Sequence, residues 1–259
     1  MIKVLVCGAA GRMGREVIKA ISQEEDMSLV SAVDVREIGK DAGELAGIGK
    51  TGILIEEDLL SAIKNTSPDV MVDFTQPSVV KGNMKIAMEN GVVPVVGTTG
   101  LKYEDIEEIK DLAKKTGVGA FIAPNFSLGA NLMMHIAKQV ARFLQAVEII
   151  ELHHEKKLDA PSGTAIRTAQ LLSEVIGDSQ TPDSQPSRGD TRWGIRIHSV
   201  RLPGLVAHQE IIFGGQGETL TIRHDAPSRE CYMPGVKTAI RKAVGLKEVI
   251  VGLDKILGL

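Results

Sequence analysis

The sequence predicts an α/β fold: a Rossmann-like parallel-sheet domain followed by a second α+β domain built on a mixed or antiparallel open sheet. Three observations carry this expectation. Up to about Phe126, short β-branched runs alternate with amphipathic helical patterns. The first of these runs passes directly into a cluster of glycines. Beyond "FSLGANLMMHIAKQVARFLQ" the strand-like runs alternate polar with apolar residues and lose most of their intervening helices.

In chain order, "IKVLVCG" leads into the helical "RMGREVIKAISQEE", and "MSLVSAVD" forms the second strand. "DVMVDFT" precedes the helix "PSVVKGNMKIAMENG", "VVPVVG" precedes "YEDIEEIKDLAKKTG", and "GAFIAP" follows. Continuously apolar strands separated by amphipathic helices are the pattern of a parallel sheet covered on both faces. Ligands of such sheets collect at the carboxyl ends of the strands. After the helix that begins near residue 127, "VEIIELHH", "IRIHSVRLP", "LVAHQEIIFGG" and "TLTIRHD" read as strands with one less protected face. Residues 177–194, rich in Pro, Ser, Asp and Gly, read as a long surface loop. The tail from Met233 returns to helical periodicity and is expected to pack on the first domain. The predicted domains are 1–126, rejoined by C-terminal helices at about 236–259, and 127–235.

Composition narrows the function. A chain of 259 residues with a formal net charge of -3 has no bulk attraction to nucleic acid or to an anionic membrane, so a small molecule is the expected partner. Cys7 and Cys231 are the two cysteines, too few for a disulfide framework and compatible with a reducing cytoplasm. The apolar N-terminal run is interrupted by glycines too early to make a signal-peptide core or a membrane span.

The glycine turn "GAAGRMG" places Gly8, Gly11 and Gly14 around the start of a helix expected to open near Arg12. Glycine permits the sharp turn and close backbone approach to a pyrophosphate, and the helix start offers N–H groups to its charge. The spacing G-x-x-G-x-x-G departs from the G-x-G-x-x-G fingerprint. Asp34, about 20 residues beyond Gly14, stands where a dinucleotide fold puts the acid that binds the ribose hydroxyls. NADH is therefore favoured, and Arg36 with Lys40 offers charge for the 2′-phosphate of NADPH. "GTTG" at 97–100 and "APNFS" at 123–127 are turns on the same expected rim.

The segment "ELHHEKKLDAPSGTA", residues 151–165, concentrates ionisable and turn-forming residues. His153 and His154 are neighbours at a strand end and point to opposite faces, and no third ligand stands at a metal-binding spacing, so no metal is expected. Pro161 and Ser162 start a helix whose Gly163 and Thr164 amides form a carboxylate site, with Lys156 or Lys157 beside it. A histidine that titrates near neutrality supplies a proton there. Together these features predict reduction of an anionic substrate by a nicotinamide cofactor.

The motifs "GAAGRMG", "DFTQP", "GTTG", "APNFSLGANL", "ELHHEKKLDAPSGTA" and "GETLTIRHDA" resemble those of the dihydrodipicolinate reductases, also called 4-hydroxy-tetrahydrodipicolinate reductases, of the diaminopimelate route to lysine. The resemblance covers nearly the whole chain, and its most specific part is the 151–165 motif. It implies hydride delivery from NADH or NADPH to C4 of a cyclic imine dicarboxylate. It assigns His153 and Lys157 as the proton-donating pair, and His154, Gly163 and Thr164 as substrate contacts. It assigns Gly8, Ala9, Ala10, Gly11, Arg12, Met13, Asp34, Gly97, Thr98, Thr99, Ala123, Pro124, Asn125 and Phe126 as cofactor contacts. It also implies a cytoplasmic homotetramer formed through the open sheet, and domains that close on ligand by a hinge. The chain departs from some members in carrying Val35 after Asp34, where they have an arginine for the NADPH phosphate; Arg36 is the nearest substitute.

Another NAD(P)H-dependent reductase of the same architecture, acting on a different small carboxylate, stays open as the enzymatic alternative, while other rival readings fail on particular residues. A short-chain dehydrogenase needs lysine four residues after a tyrosine, whereas Tyr103 is followed there by Glu107 and Tyr232 by Val236. A semialdehyde dehydrogenase needs a cysteine nucleophile in its catalytic half, where Cys231 is the sole candidate. A sensor that binds NADH without turnover has no use for a proton donor beside an anion site.

Overall fold

The computed structural model describes residues 1–177 and 188–259. By the clustering of its contacts the chain forms two compact units, Met1–Ser127 with Tyr232–Leu259, and Leu128–Cys231.

The first unit runs β1 (Ile2–Cys7), α1 (Arg12–Ile21), β2 (Met27–Val33), α2 (Ala42–Ala46), β3 (Ile55–Glu56), α3 (Leu59–Thr66), β4 (Val70–Asp73), α4 (Pro77–Glu89), β5 (Val93–Val96), α5 (Tyr103–Thr116) and β6 (Ala120–Ile122). The second unit follows with α6 (Leu128–Val140), β7 (Ala146–His153), α7 (Gly163–Ile176), β8 (Asp190–Arg192), β9 (Ile195–Arg201), β10 (Ala207–Gly215) and β11 (Glu218–Ala226). The chain then returns to the first unit as α8 (Met233–Ala243), β12 (Val249–Val251) and α9 (Leu253–Leu257).

In the first unit the described residues form a parallel sheet of order β12-β6-β5-β4-β1-β2-β3. Strands β4 and β5 are buried along their full length, which is why they read as unbroken apolar runs. The order reverses between β1 and β4, and this switch point opens a crevice at the carboxyl ends of those strands. The returning helix α8 buries Val236, Ala239 and Ile240. Its exposed side is held by Lys237 donating to Glu24 at 2.6 Å and Arg241 donating to Asp26 at 2.7 Å.

In the second unit the order is β11-β10-β7-β9-β8, with β7 and β9 parallel and the other pairs antiparallel. One face packs Ile149, Ile197, Ile211 and Phe213 against α6 and α7 through Met133, Ala137, Ala169 and Leu172. This is a mixed sheet with helices on one side.

Two expectations need correction. Part of the stretch read as a loop is strand: Asp190–Arg192 pairs with Ile195–Arg201 across a two-residue turn at Trp193 and Gly194. Its polar composition hid it, because an edge strand with half-exposed residues carries no apolar period. Residues 178–187 of that stretch lie outside the described residues. The tail is not wholly helical either, since Val249–Val251 adds to the sheet beside β6. Three residues are too few to display a period of two against the flanking helical pattern.

Glycines at 14 and 82 have opposite standing. A Cβ at Gly14 would lie 2.1 Å from the Gly8 carbonyl oxygen, so α1 approaches the turn as closely as it does only without a side chain there. A Cβ at Gly82, exposed within α4, meets open space. Urea denaturation is therefore expected to show Gly14→Ala losing about 1–3 kcal/mol from overpacking and Gly82→Ala gaining about 0.5–1 kcal/mol from helix propensity.

Candidate active site

The glycine turn is set by contacts on three sides. Gly8 takes φ +77°, and a Cβ on it would stand 2.5 Å from the Phe74 carbonyl oxygen. The amides of Gly8 and Ala9 donate to the Val33 carbonyl, while the Ala10 amide donates to Asp34 Oδ2 at 3.0 Å. Helix α1 begins with the bond from the Arg15 amide to the Gly11 carbonyl, so the Arg12 and Met13 amides have no intrahelical acceptor. Gly11 needs no left-handed backbone, having φ -75°. Its missing side chain leaves the backbone open to a ligand.

Asp34 is nearly buried immediately beyond β2. Besides the Ala10 amide it accepts the Arg36 amide at 2.9 Å, and the Arg36 Nε stands 3.6 Å from Oδ1. The Arg36 guanidinium is mostly exposed and its Nη2 lies near Gly11, beside the helix start. The Ala10 and Arg36 amides therefore address the same carboxylate from two sides.

A cleft of about 280 Å³ lies at the switch point, walled by Gly11, Arg12 and Met13 after β1, by Phe74, Thr75 and Pro77 after β4, and by Gly97, Thr98 and Thr99 after β5. Behind it Asp73, fully buried at the end of β4, collects the loops. Asp73 Oδ1 accepts the Thr75 amide at 2.9 Å, the Thr75 hydroxyl at 2.7 Å and the Thr98 hydroxyl at 2.8 Å. Its Oδ2 accepts from Asn83 of α4 at 2.8 Å. Gly97 is required by packing, because a Cβ there would stand 2.1 Å from the Phe74 ring.

Ala123–Phe126 follow the end of β6 and are not part of this wall. The Phe126 ring is buried, 5.8 Å from that of Phe74 and 6.0 Å from that of Phe121. The Asn125 side chain accepts the Ser127 amide at 2.8 Å. Asn125 and Phe126 thus shape the turn through their side chains, and Pro124 is exposed on it.

In the second unit, β7 ends at His153. Glu151, two residues earlier on the same face, is completely buried. Its Oε2 meets His153 Nδ1 at 2.5 Å. Arg201, at the end of β9, grips both oxygens, with Nη1 2.9 Å from Oε2 and Nη2 2.8 Å from Oε1. The Ser162 amide donates to Oε1 at 3.2 Å. Burial drives the Glu151 carboxyl upward, but the bonds from His153, Arg201 and Ser199 outweigh it and hold the group at about 2. An ionised carboxylate only accepts, so Nδ1 of His153 carries the hydrogen of that bond and Nε2 faces away from it.

The same arginine anchors the loop that follows β7. Its Nη2 donates to the Asp159 carbonyl at 2.8 Å and its Nε to the Lys157 carbonyl at 3.4 Å. Lys157 Nζ lies 2.7 Å from both Asp159 oxygens. Ser162 caps α7 by accepting the Ala165 amide at 3.2 Å. Gly163 is exposed, without positive φ, and a Cβ on it would meet nothing within 4 Å. His153, Lys157, Gly163 and Thr164 therefore share one region, organised by Glu151 and Arg201. His154, just past the strand, is half-buried.

The sequence matches the family description "Dihydrodipicolinate reductase, N-terminus" over residues 2–126 and "Dihydrodipicolinate reductase, C-terminus" over residues 129–257. The chain belongs to the dihydrodipicolinate reductase family. It is 51% identical over 261 residues to the 4-hydroxy-tetrahydrodipicolinate reductase of Moorella thermoacetica, covering 99% of this chain and 98% of that protein. To the enzyme of that name from Desulfitobacterium hafniense it is 53% identical over 263 residues, at 99% and 98% coverage. Among solved structures, dipicolinate-bound dihydrodipicolinate reductase from Paenisporosarcina sp. TG-14 superposes with a TM-score of 0.87 at 40% identity, covering 99% of each chain. Within this family the Rossmann-like unit is the nucleotide-binding part, and its cofactors are NADH and NADPH. The glycine turn, the open α1 amides and Asp34 fit such a dinucleotide.

Sequence reasoning missed Asp73, Glu151, Asp159 and Arg201 as site residues. Glu151 left a signal: Val147, Ile149, Glu151 and His153 share one strand face, and an acid in that apolar alternation must be paired. Arg201 left none, because only the register of β7 on β9 sets it opposite His153.

Removing the Asp73 carboxylate strands the donors of half-buried Thr75 and Asn83 and of buried Thr98. Asp73→Ala is expected to lose about 3 kcal/mol of stability and to weaken NADH binding, as read by urea denaturation and by a nicotinamide fluorescence titration.

Proposed function

We propose that this protein is a 4-hydroxy-tetrahydrodipicolinate reductase, reducing the cyclic imine dicarboxylate formed when 4-hydroxy-tetrahydrodipicolinate loses water and giving tetrahydrodipicolinate. The observation that carries the reading is a histidine held by a buried carboxylate on the same unit as a lysine and a capped helix start. Reductases of that name share half of its residues over nearly full length, and the dipicolinate of the Paenisporosarcina structure is itself a cyclic dicarboxylate.

NADH or NADPH, when bound, supplies the hydride that adds to C4 of the substrate. In the first unit Gly8 to Met13 receive the pyrophosphate on the glycine turn and the α1 amides. Asp34 takes the adenosine ribose hydroxyls, and Arg36 gives positive charge for a 2′-phosphate. Gly97, Thr98 and Thr99, with Ala123 to Phe126, complete the rim.

In the second unit the Gly163 and Thr164 amides take one substrate carboxylate at the positive end of α7. Lys157 and His154 supply further polar contacts. The electron pair that arrives with the hydride must be quenched by a proton. His153 and Lys157 are the donor pair; with Nδ1–H held by Glu151, His153 gives its proton from Nε2, and it does so as the doubly protonated imidazolium, returning to the neutral Nδ1–H form.

The same reading makes the enzyme a cytoplasmic homotetramer. The sheet face opposite the helices carries Ile150, Leu152 and Ile212, apolar side chains suited to a subunit contact. Both cysteines are free, as a reducing compartment allows. Among the described residues no helix is long and apolar enough to cross a membrane.

With NADH and enzymatically generated substrate, His153→Ala and Lys157→Ala are each expected to lower turnover by about two to four orders of magnitude while leaving NADH affinity nearly unchanged. Equal losses in NADH affinity would move both residues off the substrate side. Gly163→Val tests the helix start separately, since neither its backbone nor its packing requires glycine. Thermal unfolding should be unchanged within a few degrees on the order expected for exposed substitutions, while KM for the substrate rises; an unaltered KM would remove the α7 amides from substrate binding.

A further inference from the structure

We propose that Glu151 and Arg201 are positioning residues for the reaction, one buried ion pair that fixes the tautomer and direction of His153 and seats the start of α7 and the Lys157 loop around it. This rests on the reading of His153 as proton donor and goes beyond it, since neither residue touches substrate or cofactor in that reading.

The geometry supplies the argument. Glu151 is fully buried on the core face of β7, two residues beyond the equally buried Ile149. A buried ion pair is weak evidence of stabilisation, because desolvation of both charges offsets their attraction and an apolar pair would fill the same space. Stability therefore does not account for a carboxylate at this position. What the carboxylate does is accept from four residues on three elements: His153 of its own strand, Arg201 and Ser199 of β9, and the Ser162 amide at the cap of α7. Arg201 in turn spans from that carboxylate to the carbonyls of Lys157 and Asp159. Across β7, the residues of β10 in register are Ala207 and Gln209, which bring no charge. The orientation of His153 and the placement of the anion site thus have a common origin.

The two members have separable effects. With its Nδ1 hydrogen held by Glu151 the ring gives a proton from Nε2 only as the imidazolium; without the carboxylate charge that cation loses its partner, and the neutral ring divides between two tautomers with Nε2 no longer held in one direction. Without the guanidinium, Glu151 keeps a negative charge bonded to the first amide of the helix start, next to where a substrate carboxylate must bind. The glutamate should therefore govern turnover and the arginine substrate affinity.

The test uses the full-length enzyme with NADH and generated substrate, together with 15N spectra of histidine-labelled protein in which His153 is assigned from the His153→Asn variant. The native spectrum is expected to show the hydrogen on Nδ1, and Glu151→Gln to show both tautomers. Glu151→Gln should lose turnover by at least about tenfold with KM little changed, the pattern of an interaction that acts in the transition state. Arg201→Gln should raise KM for the substrate by at least about fivefold, a loss of ground-state binding, with NADH affinity native in both. Glu151→Gln turnover within about twofold of native, or a native His153 with its hydrogen on Nε2 alone, overturns the proposal; the second result needs no variant to fold. A native KM in Arg201→Gln overturns the arginine's part. If His153→Ala itself turns over normally, the reading of His153 fails instead, and the two failures are distinct.

Discussion

The second unit depends on keeping one carboxylate ionised inside an apolar sheet face. Glu151 stands where alternation along β7 calls for a hydrophobic residue, in line with Val147 and Ile149. Leaving such a charge unpaired would cost several kcal/mol, enough to remove much of a domain's stability. Three polar neighbours are accordingly committed to it: the register of β9 delivers Arg201, the bend after β7 delivers the Ser162 amide, and the strand itself delivers His153. A histidine within such a set has little choice of orientation.

The first unit uses the same device at two strand ends. Asp73 and Asp34 are both buried just where parallel strands release the chain into loops, and both accept backbone amides of those loops. Loops at the carboxyl edge are otherwise free to vary in shape. A buried acceptor that must be satisfied converts them into fixed walls, because each lost bond leaves a desolvated charge. The glycines act in the complementary sense: Gly8, Gly14 and Gly97 are places where backbone or an aromatic ring approaches too closely for any Cβ.

Legibility in the sequence followed the range of the interactions. The parallel sheet, the α1 start at Arg12 and the Ser162 cap were readable because each is written in a few neighbouring residues. Strands β8 and β12 were not, since three residues at an edge are stabilised by their partner strand rather than by their own pattern. In the site, His153 and the α7 start stood out as a local cluster, whereas Arg201 lies 50 residues from Glu151 and has no local signature. Phe126 shows a motif residue that also serves packing: part of a rim motif, it spends its side chain in the core.

Two cations stand near the α7 start, and burial separates their roles. Arg201 is paired with a fully buried carboxylate, and taking it away to meet a ligand would strand that charge. Lys157 is paired with Asp159, whose side chain is 65% exposed, so water can replace the lysine at little cost. An exposed pair of this kind is worth about 1 kcal/mol or less, which an incoming carboxylate readily offsets. The exchangeable cation is therefore the lysine, and the arginine is the fixed one. On the function proposed above, in which this region binds a dianion and releases a product of the same charge, both kinds are needed: one to preserve the geometry and one whose partner can change in each turnover.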